Sequence, residues 1–164
     1  MKYFTEAWAS GDLPETESAP VFDIYARDLS AAFEAGSSIR RFVENVGLND
    51  AYIDRVSFDR KAGSLDLLLL TGSLQVGYWH TRISYRGVSE VFGEPILKAA
   101  LSTRPTEIWY DEFRREGDDI VHAILLTPRG ASIRSAGEFA VRFQHFDYSQ
   151  TPATDRELLS PDDR

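Results

Sequence analysis

Apolar positions recur at helical spacing early in the chain, where Val21, Ile24, Tyr25, Leu29, Ala32 and Phe33 mark one buried helix face. This spacing predicts a helix from about Pro20 to Ala35, started by Ser18 with Pro20 in its first turn and stopped at Gly36. A shorter stripe of Ile39, Phe42, Val43 and Val46 follows Ser37 or Ser38 as cap and ends at Gly47, which makes a helical pair. Near Asp50 the period changes to alternation. Short runs rich in branched and aromatic residues follow: Tyr52–Phe58, Ser64–Thr71, Leu74–Val88, Thr106–Phe113, Ile120–Thr127 and Glu138–Tyr148.

Gly, Pro, Asp and Ser punctuate these strands. Lys61-Ala62-Gly63 reads as a hairpin turn into Leu65–Leu70, which is apolar on both faces near its end, as a central strand would be. Leu74–Val88 is long for one strand, with Gly77 and Gly87 as bend positions. Glu90–Leu101 reads as a turn or short helix, and Pro128-Arg129-Gly130 and Ala136-Gly137 separate the last runs. Arg114–Asp119, with Gly117-Asp118 at its centre, is the clearest hairpin signal. The fold class is α+β, an N-terminal helical pair packed on a mainly antiparallel sheet. It forms one domain over 1–148, with a mobile or loosely docked tail over 149–164.

The sequence of 164 residues, 43% hydrophobic and 12% aromatic, is long and apolar enough to bury one core. With no cysteine it builds no disulfide scaffold and no Cys-ligated metal site, which suits a reducing cytoplasm. The longest apolar run is far below the roughly 20 residues a membrane-spanning helix needs. A net charge of −8 disfavours nucleic acid and anionic lipid, and favours solubility or a basic partner.

Candidate chemistry is sparse. There is no phosphate-binding glycine loop, nucleophile elbow or histidine pair at metal-ligand spacing, so no cofactor or metal is expected. A two-residue turn at Gly117-Asp118 would pair Phe113 with His122 and put Asp111 on the same face, giving the best acid/base candidates, Asp111 and His122 with His80. A packed sheet histidine is the more ordinary role. Asp111 and Glu112 are adjacent in a strand and must face opposite ways, so they form no carboxylate pair, and one of them can be a buried register-fixing residue. Aromatics on neighbouring strands leave two readings open. Either an exposed binding face is built on Trp79, Trp109, Tyr110, Asp111 and Glu112, or Tyr3, Phe4 and Trp8 fold back over a two-sided core.

The opening Met1-Lys2-Tyr3-Phe4-Thr5 with Trp8, Leu48-Asn49-Asp50-Ala51, Glu107–Glu112, His122 and Val141-Arg142-Phe143 resemble a bacterial protein family, a domain of unknown function. In related small α+β proteins, some associated with toxin–immunity systems, the strand entry reads Leu-His-Asp, and Asn49 stands here in place of that histidine. The resemblance implies a bacterial cytoplasmic protein and supplies no catalytic residues. The favoured expectation is a non-catalytic interaction module, with an immunity-type inhibitor of a basic protein as its sharpest form and a homodimer allowed. The alternative is a ligand-binding or enzymatic protein with a pocket near Asp111 and His122.

Overall fold

The computed structural model describes residues 1–102, 106–128 and 135–154. Two short helices, α1 (Glu6–Ala9) and α2 (Glu15–Ser18), form in the lead-in, and the helical pair that the spacing predicts is realised as α3 (Val21–Ala32) and α4 (Ser38–Asn45). Gly36, at φ 80°, turns the chain between α3 and α4. Ser37 then caps α4 by accepting the Arg40 N–H at 3.3 Å. The apolar stripes bury Tyr25 and Leu29 from α3, and Ile39 and Phe42 from α4.

Alternating segments give β1 (Tyr52–Asp59), β2 (Ser64–Ser73), β3 (Gly77–Arg86), β4 (Glu90–Phe92), β5 (Ile108–Glu116), β6 (Asp119–Pro128), β7 (Ser135–Phe143) and β8 (His145–Ala153). Helix α5 (Glu94–Ser102) lies between β4 and β5. The class is α+β and the pairing is antiparallel, but the strands divide into two sheets, β1-β2-β3-β8 and β4-β7-β6-β5. β2 is interior, as its two-sided apolarity predicts.

The division comes from one bent ribbon. β3 pairs with β8 up to Arg86 opposite His145, and the same two chain segments resume as β4 and β7 with Glu90 opposite Arg142. At the corner the Gln144 N–H donates to the Arg86 carbonyl at 3.1 Å, and Gly87 takes φ 65°. The expected run Glu138–Tyr148 is therefore two strands in different sheets. Its phase records the break: Phe139, Val141 and Phe143 are buried before Gln144, whereas Phe146 and Tyr148 pack inward after it. The strand expected over Leu74–Val88 starts at Gly77 and stops at Arg86, leaving Gly87 as the bend. The last strand extends through Ala153, past the boundary expected at 148, and residues 155–164 of the expected tail lie outside the described residues. The turn expected at Pro128-Arg129-Gly130 also falls largely outside them.

The sheets face each other across Leu65, Leu67, Leu69 and Ile83 on one side and Ile124, Phe139, Val141 and Phe143 on the other. Phe42 of α4 wedges between them, its ring 5.8 Å from Phe113 in one sheet and 5.2 Å from Phe146 in the other. α5 packs on β7 and β1. The N-terminal segment buries Tyr3 and Phe4, and Met1 packs on Val121, Ala123 and Ala140 on the outer face of the second sheet. That is the two-sided arrangement in which the lead-in folds back over the sheet. Among the described residues no helix is long and apolar enough to cross a membrane.

Gly93 joins β4 to α5 at φ 67°, and a Cβ there would lie 2.5 Å from the Glu138 carbonyl oxygen. Gly36→Ala meets only the left-handed backbone penalty and should cost about 1 kcal/mol. Gly93→Ala adds a backbone collision and should cost on the order of 3 kcal/mol. Urea midpoints of the two variants measure the difference.

Candidate functional site

The site is built on the β5–β6 hairpin. Its two-residue turn, Gly117-Asp118, sets Glu116 opposite Asp119 and Phe113 opposite His122, the register the sequence predicts. The Phe113 N–H points away from β6 and donates to the Tyr25 hydroxyl of α3 at 3.0 Å, which covers the free edge of β5. Phe113 and His122 are therefore a non-hydrogen-bonded pair, the kind whose side chains approach most closely, and their rings stack at 3.9 Å and 12°. At the other end of β5, Ile108 faces Leu126 and Tyr110 faces Leu125, so Trp109 is an extra residue in a bulge. The bulge shifts the phase, and Asp111 turns to the inner face in place of Tyr110.

Asp111 Oδ2 accepts from His122 Nε2 at 3.0 Å, and His122 Nδ1 lies 2.7 Å from the Tyr85 hydroxyl across the sandwich. His122 and Tyr85 are wholly buried, whereas the Asp111 side chain is 20% exposed. Burial first, and then the Asp111 charge, hold the Tyr85 phenol well above its ordinary pKa, so it remains a donor. A neutral imidazole satisfies every group: Nε2–H donates to the carboxylate and Nδ1 accepts from the phenol. Only Asp111 can touch a molecule from outside. His122 and Tyr85 act through it by fixing its orientation.

Asp111 opens into a pocket of about 550 Å³ between α3, α4 and the N-terminal segment, lined by Phe4, Tyr25, Leu29, Val43, Leu48 and Tyr110 among others. Its aromatic wall is close-packed, with Phe4 4.9 Å from Tyr25, and Trp8 4.9 Å from Tyr110. Glu112 builds that wall. Facing opposite to Asp111, it is wholly buried and accepts the N–H groups of Lys2, Tyr3 and Phe4 at 2.5, 2.8 and 3.2 Å. Arg114 pairs with it at 3.1 Å. The Tyr25 phenol is also pushed up, by burial and then by Asp111.

The sequence candidates separate in space. Glu112, open in the sequence to a partner-binding face or a buried register-fixing role, is a buried anchor of the N-terminal segment. Tyr110 is pocket wall, and Trp109 is the half-buried bulge residue whose carbonyl accepts from the Asn49 amide at 2.7 Å. Trp79 is half-buried in a second groove of about 520 Å³ that shares Val46, Gly47 and Asn49 with the first. His80 does not join His122: Thr81, Ile83 and Tyr85 point into the core, so His80 lies on the opposite face of its sheet. His145 is exposed at the start of β8. Sequence reading places Tyr25 on a buried helix face and assigns neither Tyr25 nor Tyr85 to a site. Alternation marks Tyr85 as inward-facing, but nothing local says that it meets His122.

The fold and site define an antiparallel two-sheet α+β protein with a pocket at the junction of its helical pair and one sheet edge. No protein-family model, curated protein or solved structure matches the chain.

Tyr85→Phe leaves His122 Nδ1 without a donor in a dry interior and should cost about 1–2 kcal/mol in urea unfolding. Glu112→Gln should cost on the order of 2 kcal/mol, because it weakens charge-assisted bonds to the N-terminal segment. It should also red-shift tryptophan emission as Trp8 is released, whereas Tyr85→Phe should leave the emission unchanged.

Proposed function

We propose that this protein binds a small organic ligand in the pocket above Asp111. The observation that carries this reading is a carboxylate with buried bracing, Asp111 held by His122 and Tyr85, opening into an apolar cavity of about 550 Å³. Ligand sites are commonly concave, mostly apolar, roughly 300–1,000 Å³ in volume, and carry a few placed polar groups. The walls supply buried area, and Asp111 supplies orientation without an ordering cost at binding, because its hydrogen bond to His122 already exists.

A second reading, an interaction module for a basic protein, is favoured by one feature. The β2–β3 connection exposes Leu74 at 88% and Val76 at 71%, beside half-buried Trp79. The acidic charge of the chain suits such a partner.

The pocket reading is tested by melting-temperature shifts over a collection of small metabolites. Exposed Ala26 lines the pocket, so Ala26→Phe fills it without disturbing the core. Compounds should stabilise wild type and leave Ala26→Phe unmoved. Stabilisation that survives in Ala26→Phe, or none at all, counts against the pocket. Loss of protein capture in Leu74→Ser with Val76→Ser, but not in Ala26→Phe, would favour the interaction module.

A further inference from the structure

We infer that the pocket takes a cation, a primary or secondary ammonium carried on an apolar, aromatic-sized body; this rests on the pocket being a ligand site. Two carboxylates, Asp111 and exposed Asp23, line the cavity, and no Lys, Arg or His is among the described residues that do. His122 donates to Asp111 from within the core and orients its carboxylate toward the cavity. Nearby cations are engaged elsewhere. Arg27 pairs with Asp28 at 3.0 Å, Arg40 with Glu44 at 2.7 Å, and Lys2 donates to the Tyr3 hydroxyl at 2.8 Å. On β5, Arg114 is bound to Glu112 and Glu116 on the opposite face.

The pocket therefore presents carboxylates with no basic side chain in its described lining at the end of an apolar cleft, where the local dielectric strengthens an ion pair. An entering ammonium would donate to Asp111, and its apolar body would lie against Phe4, Leu29 and Val43. Phe4, Tyr25 and Tyr110 add aromatic surface that attracts a cation where a ring face is offered. The Tyr25 hydroxyl accepts from Phe113 and keeps its own proton, so it can serve a neutral acceptor on the same ligand. A carboxylate ligand would face Asp111 with like charge. A neutral alcohol would satisfy the carboxylate with a weaker bond. The net charge of −8 draws cations toward the molecule and makes their capture depend on salt.

The test uses three probes of matched shape, 2-phenylethylamine, 2-phenylethanol and 3-phenylpropionate, titrated by calorimetry into the full chain at neutral pH. The amine should bind about tenfold or more tightly than the alcohol, with the carboxylate weakest, and its advantage should shrink as salt is added. Asp111→Asn should reduce the amine to the level of the alcohol, and Asp111→Glu should restore part of the preference. Near-ultraviolet dichroism checks that the variants are folded. If Asp111→Asn does not fold, the amine-over-alcohol ratio in wild type and its salt dependence decide the matter. Equal or tighter binding of the alcohol or carboxylate, blocked by Ala26→Phe, would overturn the cation inference and leave the pocket intact. Amine binding that persists in Ala26→Phe, or no binding by any probe, would overturn both.

Discussion

Everything at the site depends on the register of β5 against β6, which is pinned at both ends. Gly117-Asp118 closes the hairpin with two residues, and the bulge at Trp109 absorbs one residue at the far end. Because side chains alternate with period two, a slip of one residue would carry Asp111 out and Glu112 in. The first would lose His122, and the second would lose the N–H groups it gathers from Lys2, Tyr3 and Phe4. Adjacent carboxylates thus do opposite work from one strand: one is braced toward a cavity, and the other holds the wall of that cavity.

The edge of β5 shows how a liability becomes a site. An unpaired strand edge must be covered, and α3 covers this one through the Tyr25 hydroxyl on the Phe113 N–H. The helix stands against the edge, and the space between α3, α4 and Tyr110 is the pocket. The N-terminal segment closes the remaining side, tied down by Glu112 and by the Tyr3 hydroxyl donating to Asp28 of α3 at 2.8 Å. Covering the sheet and shaping the pocket are one act of packing.

Charge is divided between the two faces of the second sheet. On the outer face Arg114 reaches Glu116 at 2.7 Å and Arg142 reaches it at 2.6 Å. Arg114 first, with Arg142, holds the Glu116 carboxyl below its ordinary range. The inner face receives the His122 imidazole and two phenols that burial keeps protonated. Arginines thus pair with the carboxylates of the outer face, and Asp111 faces the cavity with His122 as its partner.

The sequence by itself determined what depends on neighbours along the chain. Stripe spacing placed α3 and α4, the Gly117-Asp118 turn placed Phe113 opposite His122, and strand alternation separated Asp111 from Glu112. The apolar lead-in Tyr3-Phe4 was legible as one of two possible covers for the sheet. Only the tertiary structure decided what depends on contacts between distant segments. The bend at Gly87 and Gln144 splits one expected sheet into two, which brings Tyr85 from β3 over His122 and leaves His80 on the opposite face. The sequence leaves Glu112 open between a buried residue and a partner-facing one because its partners are backbone N–H groups more than a hundred residues away, which no composition records. The pocket has no sequence signal either, since a cavity is the space left where α3, α4, β5 and the N-terminal segment meet.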